Sequence, residues 1–471
     1  MESKIDKNTY SALFYLQKEN QFEIGNTSYK QRIKKLNTLK NAVENTYKDA
    51  IRKAIYADFK KPFLETDLTE IYPITSEIKY VKRHLKSWMS KHKVGTPLAL
   101  IGSSSWVKYE PKGVCLIISP WNFPLNLTFG PLISAIAAGN TVIIKPSELT
   151  PNISSVMSLI VKELFSENEV ALIEGDVKVS QELLKLPFNH IFFTGSPAIG
   201  KVVMKAAADN LTSVTLELGG KSPTIIDETA NLESAAKKIA WGKFINNGQT
   251  CIAPDYLLIK EEIKNNFLVE LKKQLQLFYT NNPSKSTSYC RVVNKRHFNR
   301  LLNHLNNAKT NGVKIEVGGK YNEEDNYIEP TVVSNLTSKA SLVQEEIFGP
   351  ILPIITYKTI DEAINYVNSK EKPLALYIYS RNRKTVNKII NNTRAGSTCI
   401  NNNVLQYSNH YLPFGGTNNS GIGKSHGFYG FQEFSNQRSV LKQHIKGSIE
   451  FLFPPYSSLK QKLTDITIKW F

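Results

Sequence analysis

The sequence predicts an α/β protein made of two open α/β units in one chain, and three observations lead there. Strand-like runs alternate with helical stretches from Gly113 onward, a second alternating set begins after a turn-forming "GGKSP" at Gly219–Pro223, and the segment before residue 95 reads as helix. In that first segment, "QRIKKLNTLKNAVENTYKDAIRKAIYADF" carries apolar residues at helical spacing with no internal Gly or Pro. The first set has the strand-like runs "GVCLIIS", "TVIIK", "VALIEG", "HIFFTG" and "SVTLELG", with helices such as "NISSVMSLIVKELF" and "SPAIGKVVMKAAADN" between them. Such alternation implies a mostly parallel sheet with crossover helices. The second set runs through "SPTIID", the helix "LESAAKKIAWGKFI", "YLLIK" and a helix from Glu261 towards Phe278, then "PILPIITY", "IDEAINYVNS", "LALYIYS" and "AGSTCIN". The glycine-rich "PFGGTNNSGIGKSHGFYGF" is too long for one turn and is expected to pack across a domain interface. There is no internal repeat and no low-complexity linker.

Composition narrows the class. A chain of 471 residues has room for two or three domains, and 41% hydrophobic with 21% charged residues is a globular balance, neither disordered nor fibrous. No apolar run approaches the roughly 18–20 residues of a membrane-spanning helix. The N-terminus carries early acids and no long apolar core, so it does not read as a secretory signal, and a cytoplasmic enzyme is expected. Four scattered cysteines form no C-x-x-C pair, which supports neither a disulfide framework nor a zinc site, and no metal is expected. Cys115 and Cys399 lie in strand-like runs as small buried hydrophobes, and Cys290 in "SYCRVV" is ambiguous. The formal charge of +18 comes from lysines spread along the whole chain among asparagines, with no basic tract interleaved with aromatics. That pattern describes solvated helix faces and argues against nucleic acid as a partner.

The loop "HIFFTGSPAIGKVV" comes one residue short of a triphosphate-binding P-loop. Gly195, Gly200 and Lys201 match, but Val202 has no hydroxyl for magnesium and Pro197 removes an N–H from the cradle. Asp227 in "PTIIDE" resembles the acid such sites use, yet any short strand ending in an Asp turn has this form. A G-x-G-x-x-G fingerprint is absent; "GIGKSHG" has its last glycine one place late and follows no strand. What is left is a strand, a tight turn at Gly195 and a helix starting near Pro197, whose N-terminus favours an anion. An ordinary βα turn has the same outline.

Chemistry is suggested at three other places. Cys251 in "NNGQTCIAPDY" sits in a polar, glycine-containing loop, where it is either a nucleophile with an N–H-stabilised thiolate or a plain loop cysteine. Glu217 lies in an otherwise apolar strand before two glycines, so it is either a general base of raised pKa or a buried structural acid. Asn122 in "SPWNFPLN", bracketed by Pro120 and Pro124, is either a rigid oxyanion donor or a turn residue bonding its own backbone.

Read together and in order, "PWNFP", "KPSE", "FTGSPAIG", "LELGGKSP", "GQTC", "QEEIFGP" and "PFGGTNNSGIG" resemble the landmarks of the NAD(P)-dependent aldehyde dehydrogenases. The short N-terminus, "GQTCIAPDY" and the tail "FLFPPYSSLKQKL" look like the class 3 branch, which acts on fatty and aromatic aldehydes. The resemblance implies an aldehyde dehydrogenase-like α/β fold: a cofactor-binding domain over 1–92 and 112–218 and a catalytic domain over 219–407. It adds a small β bridging and oligomerisation element over 93–111 and 408–447, pairing a strand near Trp106–Tyr109 with one near Arg438–Gln443, and a C-terminal tail over 448–471. By the same resemblance Cys251 attacks the aldehyde, Asn122 and the Cys251 N–H hold the oxyanion, and Glu217 activates water against the thioester.

For the cofactor, the resemblance assigns Lys145 and Glu148 to the adenosine ribose, Gly195 and Ser196 to the pyrophosphate, Glu346 to the nicotinamide ribose, and Trp121 and Phe348 to packing beside it. NAD is favoured because Glu148 would repel a 2′-phosphate; NADP stays open because class 3 members often accept it and Lys145 could help. The implied product is a carboxylate from a medium- or long-chain aliphatic or an aromatic aldehyde. A CoA-acylating dehydrogenase is the rival enzyme, disfavoured by Glu217, and a non-catalytic homologue is the rival of another class, disfavoured by the retained Cys251, Glu217 and Asn122. Class 3 likeness also implies a homodimer. Leu459, Leu463, Ile466 and Ile468 in the tail, with lysines between, suit a helix docked on that dimer better than one lying on a membrane. Three places depart from the family pattern: Pro197 where Thr is usual, "NNNV" at Asn401 where an acid is common, and Cys290 where Gly is common.

Overall fold

The computed structural model describes residues 7–338, 340–445 and 447–470, so the first six residues of the expected cofactor domain and the last of the tail lie outside it. The N-terminal segment is helical: Lys7–Gly25, Tyr29–Asn41, Lys48–Phe59 and Tyr72–Trp88. A capping box at Ser28 and Gln31 starts the second of these, and a π-helical turn, Ala42–Thr46, separates it from the third. Ile33, Leu36, Leu39, Ile51, Ile55, Ile74 and Ile78 bury the apolar stripes of these helices in one core with the first sheet.

That sheet has six strands in the order Gly421–Ile422, Ser213–Glu217, His190–Thr194, Val114–Ile118, Thr141–Lys145, Val170–Leu172. Every pair is parallel except the first. Three of the strands are buried at every position, as expected of central parallel strands covered by helices on both faces. The chain order reverses between Val114–Ile118 and His190–Thr194, a topological switch point, and ligands of open α/β sheets bind beyond the carboxyl ends of the strands there. The segments leaving those two ends are Pro120–Asn122 and Gly195–Ser196.

The second sheet has seven strands: Lys314–Val317, Thr331–Ser334, Ile351–Tyr357, Tyr256–Lys260, Pro223–Ile226, Ala375–Tyr379, Ser397–Ile400, all parallel except the first pair. The first two are four-residue strands that the sequence reading passes over, too short for a period to register. The glycine-rich segment joins the two halves of the chain. Its Gly421–Ile422 pairs antiparallel with Leu216–Glu217, and a Cβ on Gly421 (φ +150°) would lie 2.4 Å from the Leu216 carbonyl oxygen. A third, three-stranded antiparallel sheet orders His92–Val94, Ser103–Pro111 and Ser435–Gln443, with Val440 opposite Trp106 and Arg438 opposite Lys108. Cys115 is fully buried, Cys290 is also buried, and Cys399 is only half-buried in the edge strand of its sheet. Lys201 is exposed on helix Pro197–Ala208, and Asp227 is occupied by Thr229 and Ser380 in a turn, which removes both from a triphosphate site.

Candidate active site

The loop that carries Cys251 is held by its amides. Helix Leu232–Phe244 is followed, after an extended Ile245, by three successive left-handed residues, Asn246 (φ +53°), Asn247 (φ +57°) and Gly248 (φ +71°), a conformation asparagine and glycine tolerate best. Gln249 then clamps the turn: its Nε2 donates to the carbonyls of Asn246 and Arg291, both at 3.0 Å, and its Oε1 accepts from the Val293 N–H at 2.9 Å. Glu65 accepts the Asn246 N–H at 2.8 Å. From the far side the buried Asn122 donates Nδ2 to the Gln249 carbonyl (3.0 Å) and accepts Asn246 Nδ2 on its own carbonyl (2.8 Å). A Cβ on Gly248 would sit 2.3 Å from the Gly349 carbonyl oxygen, so Gly248→Ala is expected to cost about 1–3 kcal/mol of stability. Thermal unfolding of the variant measures this, and an unchanged midpoint would contradict it.

Burial pushes the Cys251 thiol well above its ordinary pKa, and the charges of Glu217 and Glu346 push it further; the backbone N–H groups of Cys251 and Ile252 partly offset this. The resting sulfur is therefore protonated, and a nucleophilic role requires a base. Glu217 is the carboxylate at hand, buried at the carboxyl end of its strand. Thr194 donates its hydroxyl to one Glu217 oxygen at 3.3 Å and Ser425 donates to the other. Burial still dominates these hydrogen bonds and holds the carboxyl above the usual carboxylate range.

Two cavities meet at the thiol. One, of about 340 Å³, is apolar and lined by Phe123, Trp241, Ile245, Ile252, Leu405 and Tyr407 among others. The other, of about 240 Å³, is lined by Asn122, Trp121, Gly195, Ser196, Glu217, Glu346 and Phe348. Among the described residues only Cys251 and Leu127 line both. Eight of the ten residues singled out in the sequence thus gather at one place: those seven and Cys251.

Lys145 and Glu148 are apart from them. Buried Lys145 ends strand Thr141–Lys145, donates to the Pro146 carbonyl at 2.6 Å and pairs at 3.5 Å with the exposed Glu148. Two inter-strand spacings, about 10 Å, separate that strand from the one ending at Thr194.

These residues fit a dinucleotide. Ser196 caps helix Pro197–Ala208 (3.4 Å to the Ile199 N–H), which leaves the helix N-terminus at the switch point to receive an anion. At Gly219 a Cβ would lie 2.5 Å from both Glu346 carboxylate oxygens, so the bare backbone lets that side chain fold over the turn. Burial raises the Glu346 carboxyl to about 7, with the Gly220 N–H opposing the shift. Trp121 packs edge-on against Phe348 with ring centroids 5.4 Å apart.

Several contributors carry no sequence signal. Arg300 donates to the carbonyls of Glu346 (3.2 Å) and Ile347 (2.7 Å), fixing the segment from which Glu346 and Phe348 project. His297 lies 4.9 Å from the Trp121 ring. Lys61 and Glu70 form a fully buried pair at 2.8 Å, and the other Glu70 oxygen accepts the Asn126 N–H at 3.0 Å. Thr194 lies within "FTGSPAIG" and Ser425 within the glycine-rich segment, yet only folding brings them to Glu217.

A larger apolar cavity and a smaller one that carries Asn122, Glu217 and Glu346, opening on a single thiol with a carboxylate beside it, suit an oxidoreductase site built around a cysteine. The family model described as "Aldehyde dehydrogenase family" matches residues 3–440, and the chain belongs to that family. It is 44% identical to the 4,4'-diaponeurosporen-aldehyde dehydrogenase of Staphylococcus aureus over 91% of this chain and 92% of that one. It is 42% identical to aldehyde dehydrogenase family 3 member A2 of Mus musculus, over 91% and 88%, which agrees with the class 3-like branch. The solved structure described as the substrate bound state of Staphylococcus aureus AldH superposes with a TM-score of 0.93 at 41% identity, covering 97% of this chain and 99% of that one. The protein oxidises aldehydes to acids, with NAD(P) as cofactor. Among the described residues no helix is long and apolar enough to cross a membrane.

Proposed function

We propose that Cys251, Glu217 and Asn122 perform this oxidation on medium- or long-chain aliphatic or aromatic aldehydes. The observation that carries the proposal is the place of Cys251, which lines both the apolar cavity and the one that holds Asn122, Glu217 and Glu346. Glu217 accepts the thiol proton as the sulfur adds to the aldehyde carbonyl, giving a thiohemiacetal. The Asn122 amide and the Cys251 N–H stabilise the oxyanion; the clamp on Gln249 keeps that amide from following the substrate. The bound dinucleotide supplies the two-electron acceptor that turns the thiohemiacetal into a thioester. Once the thiol proton has left Glu217 for solvent, Glu217 takes a proton from water as the water attacks the thioester; the C–S bond breaks, the carboxylic acid leaves and Glu217 returns its proton to the Cys251 thiolate. Lys145, Glu148, Gly195, Ser196, Glu346, Trp121 and Phe348 hold the dinucleotide, with NAD favoured over NADP because Glu148 stands beside Lys145.

The test is formation of NADH or NADPH with hexanal, decanal, hexadecanal and benzaldehyde, with acetaldehyde as the short control. Acyl-CoA formation on adding CoA would instead favour the acylating reading. Trp241 lines the apolar cavity, so Trp241→Ala is expected to raise KM for decanal roughly tenfold or more while leaving that for acetaldehyde within about twofold. Equal KM changes for both aldehydes would remove that cavity from substrate binding.

The protein acts in the cytoplasm as a homodimer in this reading. The three-stranded sheet is its contact. Leu459, Ile466, Ile468 and Trp470, all exposed on helix Ser458–Trp470, are covered by the second copy. Light scattering on the full chain and on one truncated before Ser458 tests this; a monomeric full chain would refute it.

A further inference from the structure

Each turnover of the proposed mechanism leaves a proton on Glu217, and that carboxyl is buried with a hydroxyl donating to each oxygen. The proton needs a way out. Glu217 also lines a small space of about 20 Å³ next to the larger cavities, room for one water, whose other polar walls are Ser425, His426, Glu77, Asn126, Tyr407 and Ser134. Behind it stands a cluster that the mechanism does not use: donor atoms of Glu77, His410 and His426 all lie within 4.8 Å of one another. The His410 Nδ1 is 2.6 Å and the His426 Nδ1 3.7 Å from the same Glu77 oxygen, while the other Glu77 oxygen accepts the Gly427 N–H at 2.7 Å. Ser76 meets the His410 Nε2 at 2.8 Å.

His426 is held there at a backbone cost. Its φ is +70°, left-handed for a residue that is not glycine, and although it precedes helix Gly427–Glu433 its side chain makes no capping bond. Tyr407 and Phe414 pack edge-on against its ring at 4.5 and 5.4 Å. The side chain keeps 13% of its surface accessible.

We propose that His426 is a proton-relay residue, carrying the proton of Glu217 to solvent through a water in the small cavity, with Glu77 and His410 holding its imidazole in place. The water takes the carboxyl proton as it gives one of its own to an imidazole nitrogen; Glu217 returns to carboxylate and His426 becomes imidazolium beside Glu77. The imidazolium then passes that proton to bulk water or buffer, and no oxidant or further reactant is needed. The ionisable groups facing the ring are Glu77 from helix Tyr72–Trp88, His410 and Tyr407 from the loop before it, and Glu217 from its strand. Glu77 stays ionised throughout, because its two histidine neighbours outweigh its burial and hold its carboxyl at about 2. The inference rests on reading Glu217 as the base, and the experiment separates the two.

His426→Ala and His426→Gln, as full-length enzyme, are expected to keep the pre-steady-state burst of NADH while kcat falls roughly tenfold or more and KM moves less than about twofold. Added imidazole should restore kcat of His426→Ala in proportion to its concentration, which a merely structural loss would not show. Glu77→Gln should lower kcat in the same sense without touching the burst. Wild-type kcat in His426→Ala, or a loss that imidazole does not relieve, overturns the relay. Inactivation by a chelator, reversed by zinc, overturns it in favour of a metal held by the three groups. Should Glu217→Gln turn over normally, the base assignment itself fails, whatever His426 does.

Discussion

Cys251→Ala is expected to lower aldehyde-dependent NAD(P)H formation by at least roughly 10⁴-fold, leaving no burst. No second group among the described lining residues can replace the sulfur, since Cys251 and Leu127 are the two that face both cavities and Leu127 has no nucleophile. Cofactor binding should persist, because the loop is held by Asn122, Asn246, Gln249 and Glu65 rather than by the thiol. Quenching of tryptophan fluorescence on titration with NAD, read through Trp121, checks this. Turnover within tenfold of the parent would exclude the covalent route, and lost cofactor binding would mean that the substitution had disturbed the fold.

Glu217→Gln is expected to release one equivalent of NADH per site in a burst slowed by the loss of the base for the thiol, and then to stall, with steady-state turnover down roughly 10²–10⁴-fold. The amide keeps the size and can accept one of the two hydroxyl hydrogen bonds from Thr194 and Ser425, the other hydroxyl turning to accept from its NH2, but it takes up no proton, so the thioester accumulates. Hydroxylamine, which needs no base to attack a thioester, should relieve the stall. The pH profile carries a second signature. Glu217 works only when deprotonated, so deacylation falls as pH drops through its pKa. Burial places that pKa above the roughly 4.3 of an exposed glutamate, so the acidic limb sits correspondingly higher. The limb should vanish in the variant. Steady turnover at the parent rate would take Glu217 out of the deacylation step.

Much of this arrangement was legible in the chain. The alternation of "GVCLIIS", "TVIIK", "HIFFTG" and "SVTLELG" with amphipathic helices predicts the parallel sheet, and the strands of the first three are buried at every position while Ser213–Glu217 is buried only at its carboxyl end. Pro197 predicts the helix start that the structure shows, with Ser196 as its cap. The strands Lys314–Val317 and Thr331–Ser334 were not legible, nor was the two-residue strand Gly421–Ile422, since elements this short take their conformation from the edge they join. At the site, polar residues in apolar or glycine-rich surroundings (Cys251, Glu217, Asn122) stood out because burying them needs a reason. Arg300, Thr194, Ser425 and Glu77 did not, because each is an ordinary polar residue for its local segment.

The sequence by itself determined the family, the reaction class, and which residues would be chemically exceptional, because motif order and local polarity are properties of the linear chain. Tertiary structure alone decided that the thiol opens on two cavities, that Glu217 accepts hydroxyls from two other segments, and that Glu77, His410 and His426 converge near it. The physical reason is separation along the chain: Glu77 meets Gly427 across 350 residues and Ser425 meets Glu217 across 208. No local pattern records such a contact; it exists only once both sheets have formed and the glycine-rich segment has paired with the strand that ends in Glu217.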